Sequence, residues 1–300
     1  MEQRPLFKGG PSVAALGLGA WPLGGGMGRV EKNEAVAVIR AAIDSGITLV
    51  DTAQGYHTSE SFTGEALRDG YRDRCFLATK VSGDFSPDGI VQAMENSLRE
   101  LGVDYVDLYQ IHWWDDAYPM DDALAALAKL QQDGKTRYIG VSNFDAAQMR
   151  QSLRVAPFQT NQIVYNLFDR QIEAEDIPFC EQHGIGILAH SVLAKGLLTG
   201  KYTPDSRFAP DDERAEFPRF QGETFARYLK AAENLHTIAA DYGLSLVQLA
   251  IAWVLRLPAV TCALVGAKTT GQVQDYLGAV GVKLSEGDLA RIDELLRGLD

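Results

Sequence analysis

The chain has 300 residues, 46% of them hydrophobic and 23% charged, the composition of an ordinary globular protein long enough to bury a large core. Its formal net charge of −12 argues against a nucleic-acid or anionic-membrane surface, since both need concentrated Lys and Arg. No apolar run approaches ~20 residues, and the N-terminus Met1-Glu2-Gln3-Arg4 lacks the apolar core of a signal peptide. Cys75, Cys180 and Cys262 sit in or beside apolar runs without CxxC spacing, which argues for a reducing compartment and against a structural zinc. The expectation is a cytoplasmic monomer or weak homo-oligomer that binds no nucleic acid, membrane or metal.

Short β-rich apolar runs alternate with helix-length amphipathic stretches, the pattern of βαβ units and a parallel sheet. In chain order, strands are expected at 15–18, 48–51, 75–79, 106–111, 138–141, 162–165, 186–190 and 261–265. Helices are expected after them at about 32–45, 59–69, 87–101, 121–133, 145–154, 174–183, 225–242 and 270–279. Ala35, Val38, Ile39, Ala42 and Ile43 show the 3.6-residue period that marks the first of these helices. Eight strand–helix units point to one closed (β/α)8 TIM barrel spanning residues 1–300. An open doubly wound sheet would need a glycine-rich dinucleotide loop, and no G-x-G-x-x-G follows a strand. Gly17-Leu18-Gly19 comes nearest, but Trp21 and Pro22 follow where a helix should open.

Three extras decorate the repeat. Residues 4–14 read as a hairpin turning at Lys8-Gly9-Gly10, a plug for the barrel bottom. Residues 201–224, rich in Pro, Asp and Arg, form a long insertion after strand seven, a length usually reserved for function. Two further helices are expected, one before strand eight with Ser245 and Gln248 as a capping box, and one near 285–296 with Ser285 as N-cap.

Polar residues gather at the strand ends. Asp51 ends strand two with Tyr56 just beyond; Lys80 ends strand three and His112 strand four. Ser142 and Asn143 end strand five, Gln162 lies on strand six, and His190 ends strand seven. In a barrel of this kind the carboxyl ends of the strands build the active site. The chemistry is coherent as well. A phenol with an ordinary pKa near ~10 gives up its proton poorly at neutral pH, and an adjacent ammonium held by a carboxylate stabilises the phenolate. An imidazole within reach can orient a carbonyl or share the proton.

These segments resemble those of the aldo-keto reductase family. Asp51-Thr52-Ala53-Gln54-Gly55-Tyr56 fits its D-T-A-x-x-Y segment, Phe76-Leu77-Ala78-Thr79-Lys80 supplies its lysine, and Asp104 to His112 its histidine. Matches continue through Gly134–Phe144, Gln162–Asn166, Leu193–Tyr202 and Val265–Lys268, in family order from about residue 4 to 280. The resemblance implies hydride transfer from NADPH, with NAD as the alternative cofactor, to the carbonyl of a small aldehyde or ketone. Tyr56 would be the acid, Lys80 and Asp51 the pair that lowers its pKa, and His112 its orienting partner. Ser142, Asn143 and Gln162 would grip the carboxamide, and His190 would take the place of the aromatic that stacks on the nicotinamide. Ser191, Leu193 and Gly196 would follow the pyrophosphate, and Gly266 would belong to a cofactor motif nearer the C-terminus; Lys268, Thr269, Gln272 and Asp275 would hold the adenosine and its 2′-phosphate. Trp21, His57 and Trp113 would line the substrate pocket.

Three departures from the family pattern stand out: His190 stands where the family often has an aromatic, His57 replaces a glycine after the tyrosine, and Gln272 stands where some members have arginine. Other readings are an alcohol or sugar dehydrogenase working oxidatively with NAD(P), and a cofactor-sensing regulatory subunit. The intact tyrosine–lysine–aspartate–histidine set favours an enzyme.

Overall fold

The computed structural model describes residues 1–210 and 212–299. An antiparallel hairpin comes first, β1 (Gln3–Pro5) paired with β2 (Ser12–Ala14). Eight parallel strands follow: β3 (Leu16–Gly19), β4 (Leu49–Asp51), β5 (Phe76–Val81), β6 (Val106–Ile111), β7 (Thr136–Ser142), β8 (Thr160–Val164), β9 (Gly186–His190) and β10 (Val260–Val265). Each pairs with the next, and β10 pairs with β3, so the barrel closes as expected. Around it run α1 (Lys32–Asp44), α2 (Ser59–Ala66), α3 (Pro87–Leu101), α4 (Met120–Gln132), α5 (Ala146–Ser152), α6 (Asp176–His183), α7 (Gly222–Asp241), α8 (Leu246–Leu255), α9 (Thr270–Leu277) and α10 (Glu286–Leu296).

Local chemistry accounts for the helix ends. Ser86 caps α3 by accepting from Gly89 N, Pro87 takes the first helical position, and Gly102 at φ 65 ends the helix. The expected capping box of α8 is present, with Ser245 accepting from Gln248 N, and Ser285 caps α10. Strand β7 outruns its apolar core by two residues at its start, because Thr136 pairs with Val106 across the ladder whatever its polarity. No single described helix is long and apolar enough to cross a membrane.

The period of two along each strand sorts the barrel interior into layers. The lower layer is apolar: Leu49, Ala78, Leu108, Leu188 and Cys262 pack together and are fully buried. Two residues further along the same strands stand Asp51, Lys80, Gln110 and His190, and Gln162 joins them from β8. The hairpin stoppers the lower end. Leu6, with no exposed surface, joins the apolar layer, and a Cβ on Gly186 would lie 1.6 Å from the Leu6 carbonyl oxygen, so only glycine admits the plug. The Arg4 guanidinium fastens it, donating to the carbonyls of Leu255 at 2.8 Å and Val260 at 2.6 Å. The chain after β9 crosses the upper end instead, in short 3-10 turns that lead into α7.

Candidate active site

The polar layer is one connected network. Lys80, with no solvent-exposed surface, donates from Nζ to Asp51 Oδ2 at 2.6 Å, to the Thr52 carbonyl at 2.9 Å and to the Tyr56 hydroxyl at 3.2 Å. Asp51 Oδ1 accepts from Gln162 Nε2 at 2.7 Å across the barrel. Every proton of the ammonium is thus used, and the buried carboxylate is satisfied on both oxygens, the condition on which a buried ion pair is tolerable. The Tyr56 ring is wedged between Trp21 and His112, with centroids 4.9 and 5.4 Å away and both contacts edge-on. His112 Nδ1 lies 2.7 Å from the Ser82 hydroxyl.

Burial sets the protonation states. It raises the Tyr56 phenol above its ordinary value; Lys80 opposes that shift and Asp51 reinforces it. The expected lowering of this pKa by the Lys80–Asp51 pair is therefore not the net result, because desolvation of the phenolate outweighs the ammonium. Burial also works against the charge on Lys80, but Asp51 and Tyr56 more than restore it, so the ammonium persists. Burial, seconded by Lys80, drives His112 down to about 2, and the same two influences take His190 down to about 3, so both imidazoles are neutral.

Above this floor opens a cavity of about 480 Å³. Trp21, Tyr56, Ser82, His112 and Trp113 line it, and so do Ser191, Leu193, Gly196, Gly266, Lys268 and Gln272. Ser191, Ala194 and Lys195 adopt left-handed backbone at φ 55, 46 and 54, and so do Asn143 at 57 and His57 at 48. Left-handed backbone costs a non-glycine residue about 1 kcal/mol or more, and five of the six such residues among those described lie on loops at this end of the barrel, Asp69 being the exception.

A model of the aldo/keto reductase family matches residues 15–297. The chain belongs to the aldo-keto reductases. Glycerol dehydrogenase AKR11B4 from Gluconobacter oxydans shares 38% identity and superposes with a TM-score of 0.87 over 95% of this chain and 92% of the other. An aldo/keto reductase from Klebsiella pneumoniae, solved in complex with NADP and acetate, is 32% identical, with a TM-score of 0.79 over 99% and 96% of the two chains. The NADH-specific methylglyoxal reductase of Escherichia coli (strain K12) is 31% identical over 100% of both chains.

The structure of this aldo-keto reductase brings most of the expected site residues together. Asp51, Tyr56, His112, Trp21, Trp113, Gln162, His190, Ser191, Leu193, Gly196, Gly266, Lys268 and Gln272 face the cavity, with Lys80 fully buried under Tyr56. Four others lie behind or beside it. Ser142 is buried and its hydroxyl accepts from Asn143 Nδ2 at 3.1 Å; Asn143 Oδ1 meets His190 Nε2 at 2.9 Å. Thr269 caps α9 by accepting from Gln272 N, and exposed His57 lies over Trp21 with ring centroids 5.9 Å apart.

Asp275 does not reach the cavity. Its carboxylate faces away and accepts from Ser245 Oγ at 3.2 Å and Gln248 Nε2 at 3.0 Å, tying α9 to the start of α8. Conversely, sequence reasoning missed Ser82, Lys195, Lys201, Glu213 and Arg214, all of which line the cavity. The last four come from the segment after β9, and Lys201, Glu213 and Arg214 from the 201–224 insertion, whose length hinted at function. Glu213 bridges Trp21 Nε1 at 3.0 Å and Lys195 Nζ at 2.7 Å.

Proposed function

We propose that this chain reduces small aldehydes and ketones with NADPH, and that Tyr56 delivers the proton. The observation that carries the reading is the Tyr56–Lys80–Asp51 chain of hydrogen bonds at the cavity floor. The cavity fits a phosphate-bearing cofactor. In a protein of net charge −12, Lys195, Lys201, Arg214 and Lys268 all line the cavity, Lys195 paired with Glu213 and Arg214 with Asp212. After burial, mutual repulsion is what lowers the pKa of Lys201 and Lys268, each next to Arg214. Crowded cations of this kind are relieved by an anion. Ser142, Asn143, Gln162 and His190 would hold the nicotinamide end, Ser191, Leu193, Gly196 and Gly266 the pyrophosphate, and Lys268, Thr269 and Gln272 the adenosine end.

When bound, the nicotinamide supplies the hydride to the carbonyl carbon. Tyr56 keeps its proton while the pocket is at rest, because burial disfavours the phenolate. As negative charge grows on the carbonyl oxygen, the phenol passes its proton there, and the Lys80 ammonium 3.2 Å away steadies the phenolate left behind. Asp51 keeps that ammonium in place and charged. His112, neutral, offers the oxygen a hydrogen bond, while Trp21, His57 and Trp113 border the substrate.

The Gluconobacter relative named for glycerol oxidation supports a second reading, the same chemistry run in reverse on an alcohol, and the NADH-specific relative supports NAD as the alternative cofactor. The three buried free cysteines favour a cytoplasmic setting, as a monomer or weak homo-oligomer. The test is Tyr56→Phe assayed by nicotinamide absorbance over a panel of carbonyls. Turnover should fall by at least ~10² while NADPH binding is kept, the worth of general acid catalysis. An unchanged rate would overturn the reading.

A further inference from the structure

His112 has two ring nitrogens, and the protein holds one of them. The Ser82 hydroxyl lies 2.7 Å from Nδ1, and Ser82 is itself fixed on the far side, its backbone N–H donating to Gln54 Oε1 at 3.1 Å. Gln54 in turn donates from its backbone to the Lys80 carbonyl at 3.1 Å, so the segment before Tyr56 and the end of β5 are laced together. Gly55 makes room for this. A Cβ there would lie 3.0 Å from Ser82 Oγ and 3.2 Å from its Cβ, and would push the hydroxyl off the ring. The imidazole backbone is clamped as well, His112 N donating to the Val81 carbonyl at 3.3 Å and Asn143 Nδ2 donating to the His112 carbonyl at 3.2 Å.

We infer that Ser82 is a positioning residue that donates to His112 Nδ1 and so fixes the tautomer with its proton on Nε2, aimed at the reacting carbonyl. A neutral imidazole carries a single N–H, and a serine hydroxyl can serve either tautomer; it is the carbonyl oxygen expected at Nε2 that needs a donor there and so assigns Ser82 the donor role at Nδ1. With Nδ1 as acceptor, Nε2–H meets the carbonyl oxygen as a donor beside Tyr56. In the other tautomer a lone pair would face that oxygen and repel it. The neutral state required is the one burial imposes on His112. Lys80 faces the ring from β5, His190 from β9 and Tyr56 from the loop after β4, and none of them is an anion.

This inference rests on the reading that His112 faces the substrate oxygen, yet it can fail separately. Nitrogen-15 NMR of the uniformly labelled, full-length protein reports the protonation of each ring nitrogen without turnover. The expected spectrum shows His112 Nε2 protonated and Nδ1 as an acceptor; a proton on Nδ1 would overturn the inference even if Tyr56→Phe behaves as proposed. In Ser82→Ala, kcat/KM for the carbonyl should drop roughly tenfold, the value of one oriented hydrogen bond, with reduced-cofactor affinity unchanged and the Nδ1 signal shifted. Ser82→Thr, which keeps the hydroxyl, should restore both. A kcat/KM within twofold of the parent in Ser82→Ala would equally defeat the assignment.

Discussion

Lys80→Met removes the buried cation inside the barrel while roughly keeping the volume of the side chain. The structure shows what is left. Asp51, 2% exposed, loses its 2.6 Å partner and retains Gln162 at 2.7 Å and Gln110 at 3.4 Å, both neutral. A buried carboxylate stripped of its counter-charge destabilises a fold by about 3–5 kcal/mol. For a chain of this length that corresponds to a fall of roughly 5–8 °C in Tm. Urea unfolding at pH 7, followed by tryptophan fluorescence, measures the loss. The control is Lys80→Met/Asp51→Asn, in which no charge is stranded; it should recover at least half of the stability and none of the activity. If the single variant loses under ~1 kcal/mol, or the double variant is as unstable as the sum of its parts, the network is not the coupled pair described here.

Other expectations follow from the same geometry. The folded pKa values of His112 and His190, about 2 and 3, lie below the ordinary ~6.5 of the unfolded chain, so the unfolded state binds protons that the folded state refuses. Stability is then lost as pH falls below ~6.5, by up to about 1.4 kcal/mol per pH unit for each ring, and His190→Phe should flatten the slope of urea midpoints between pH 7 and 5. Lys268→Ala should weaken NADPH far more than NADH in binding titrations, whereas Asp275→Asn, whose carboxylate accepts from Ser245 and Gln248, should lower Tm and leave both affinities alone. Leu6→Ala should cost about 2–5 kcal/mol in denaturant unfolding while kcat stays at the parent value, because the plug lies at the end of the barrel away from Tyr56.

The barrel and the polar floor of its cavity were legible because both follow from short-range pattern. Inward-facing positions recur every second residue, so a strand such as Leu49–Asp51 announces an apolar lower layer and a polar upper one in three letters. Ser245 and Ser285 were legible as caps for the same reason, their partners lying three residues away. What could not be read depends on contacts distant in the chain. Arg214 and Glu213 reach the cavity only because an aperiodic segment folds over the barrel mouth. Asp275 looked like a cofactor ligand from its place after Lys268, but its partners lie 27 and 30 residues earlier, on a helix terminus short of a hydrogen-bond acceptor. Ser82 is an unremarkable serine in sequence; only the closure of β5 against β6 brings it to His112. The sign of the Tyr56 shift was likewise a matter of burial, which neighbours in sequence do not report.

The left-handed residues around the mouth, His57, Asn143, Ser191, Ala194 and Lys195, bear on how stiff that mouth is. Each sits in a narrow conformational well, at a cost of about 1 kcal/mol to the folded chain. Glycine would remove that strain but widen the unfolded ensemble by about as much, so the two choices are close to equal in stability. They differ in freedom of movement. A residue with a Cβ held at positive φ has little room to wander, whereas glycine there would explore a broad basin. The rim is accordingly a rigid frame obtained at almost no net cost in stability. Glycine substitutions along it would lower the backbone order parameters of these loops, and slacken the grip on a bound ligand, well before they moved the melting temperature.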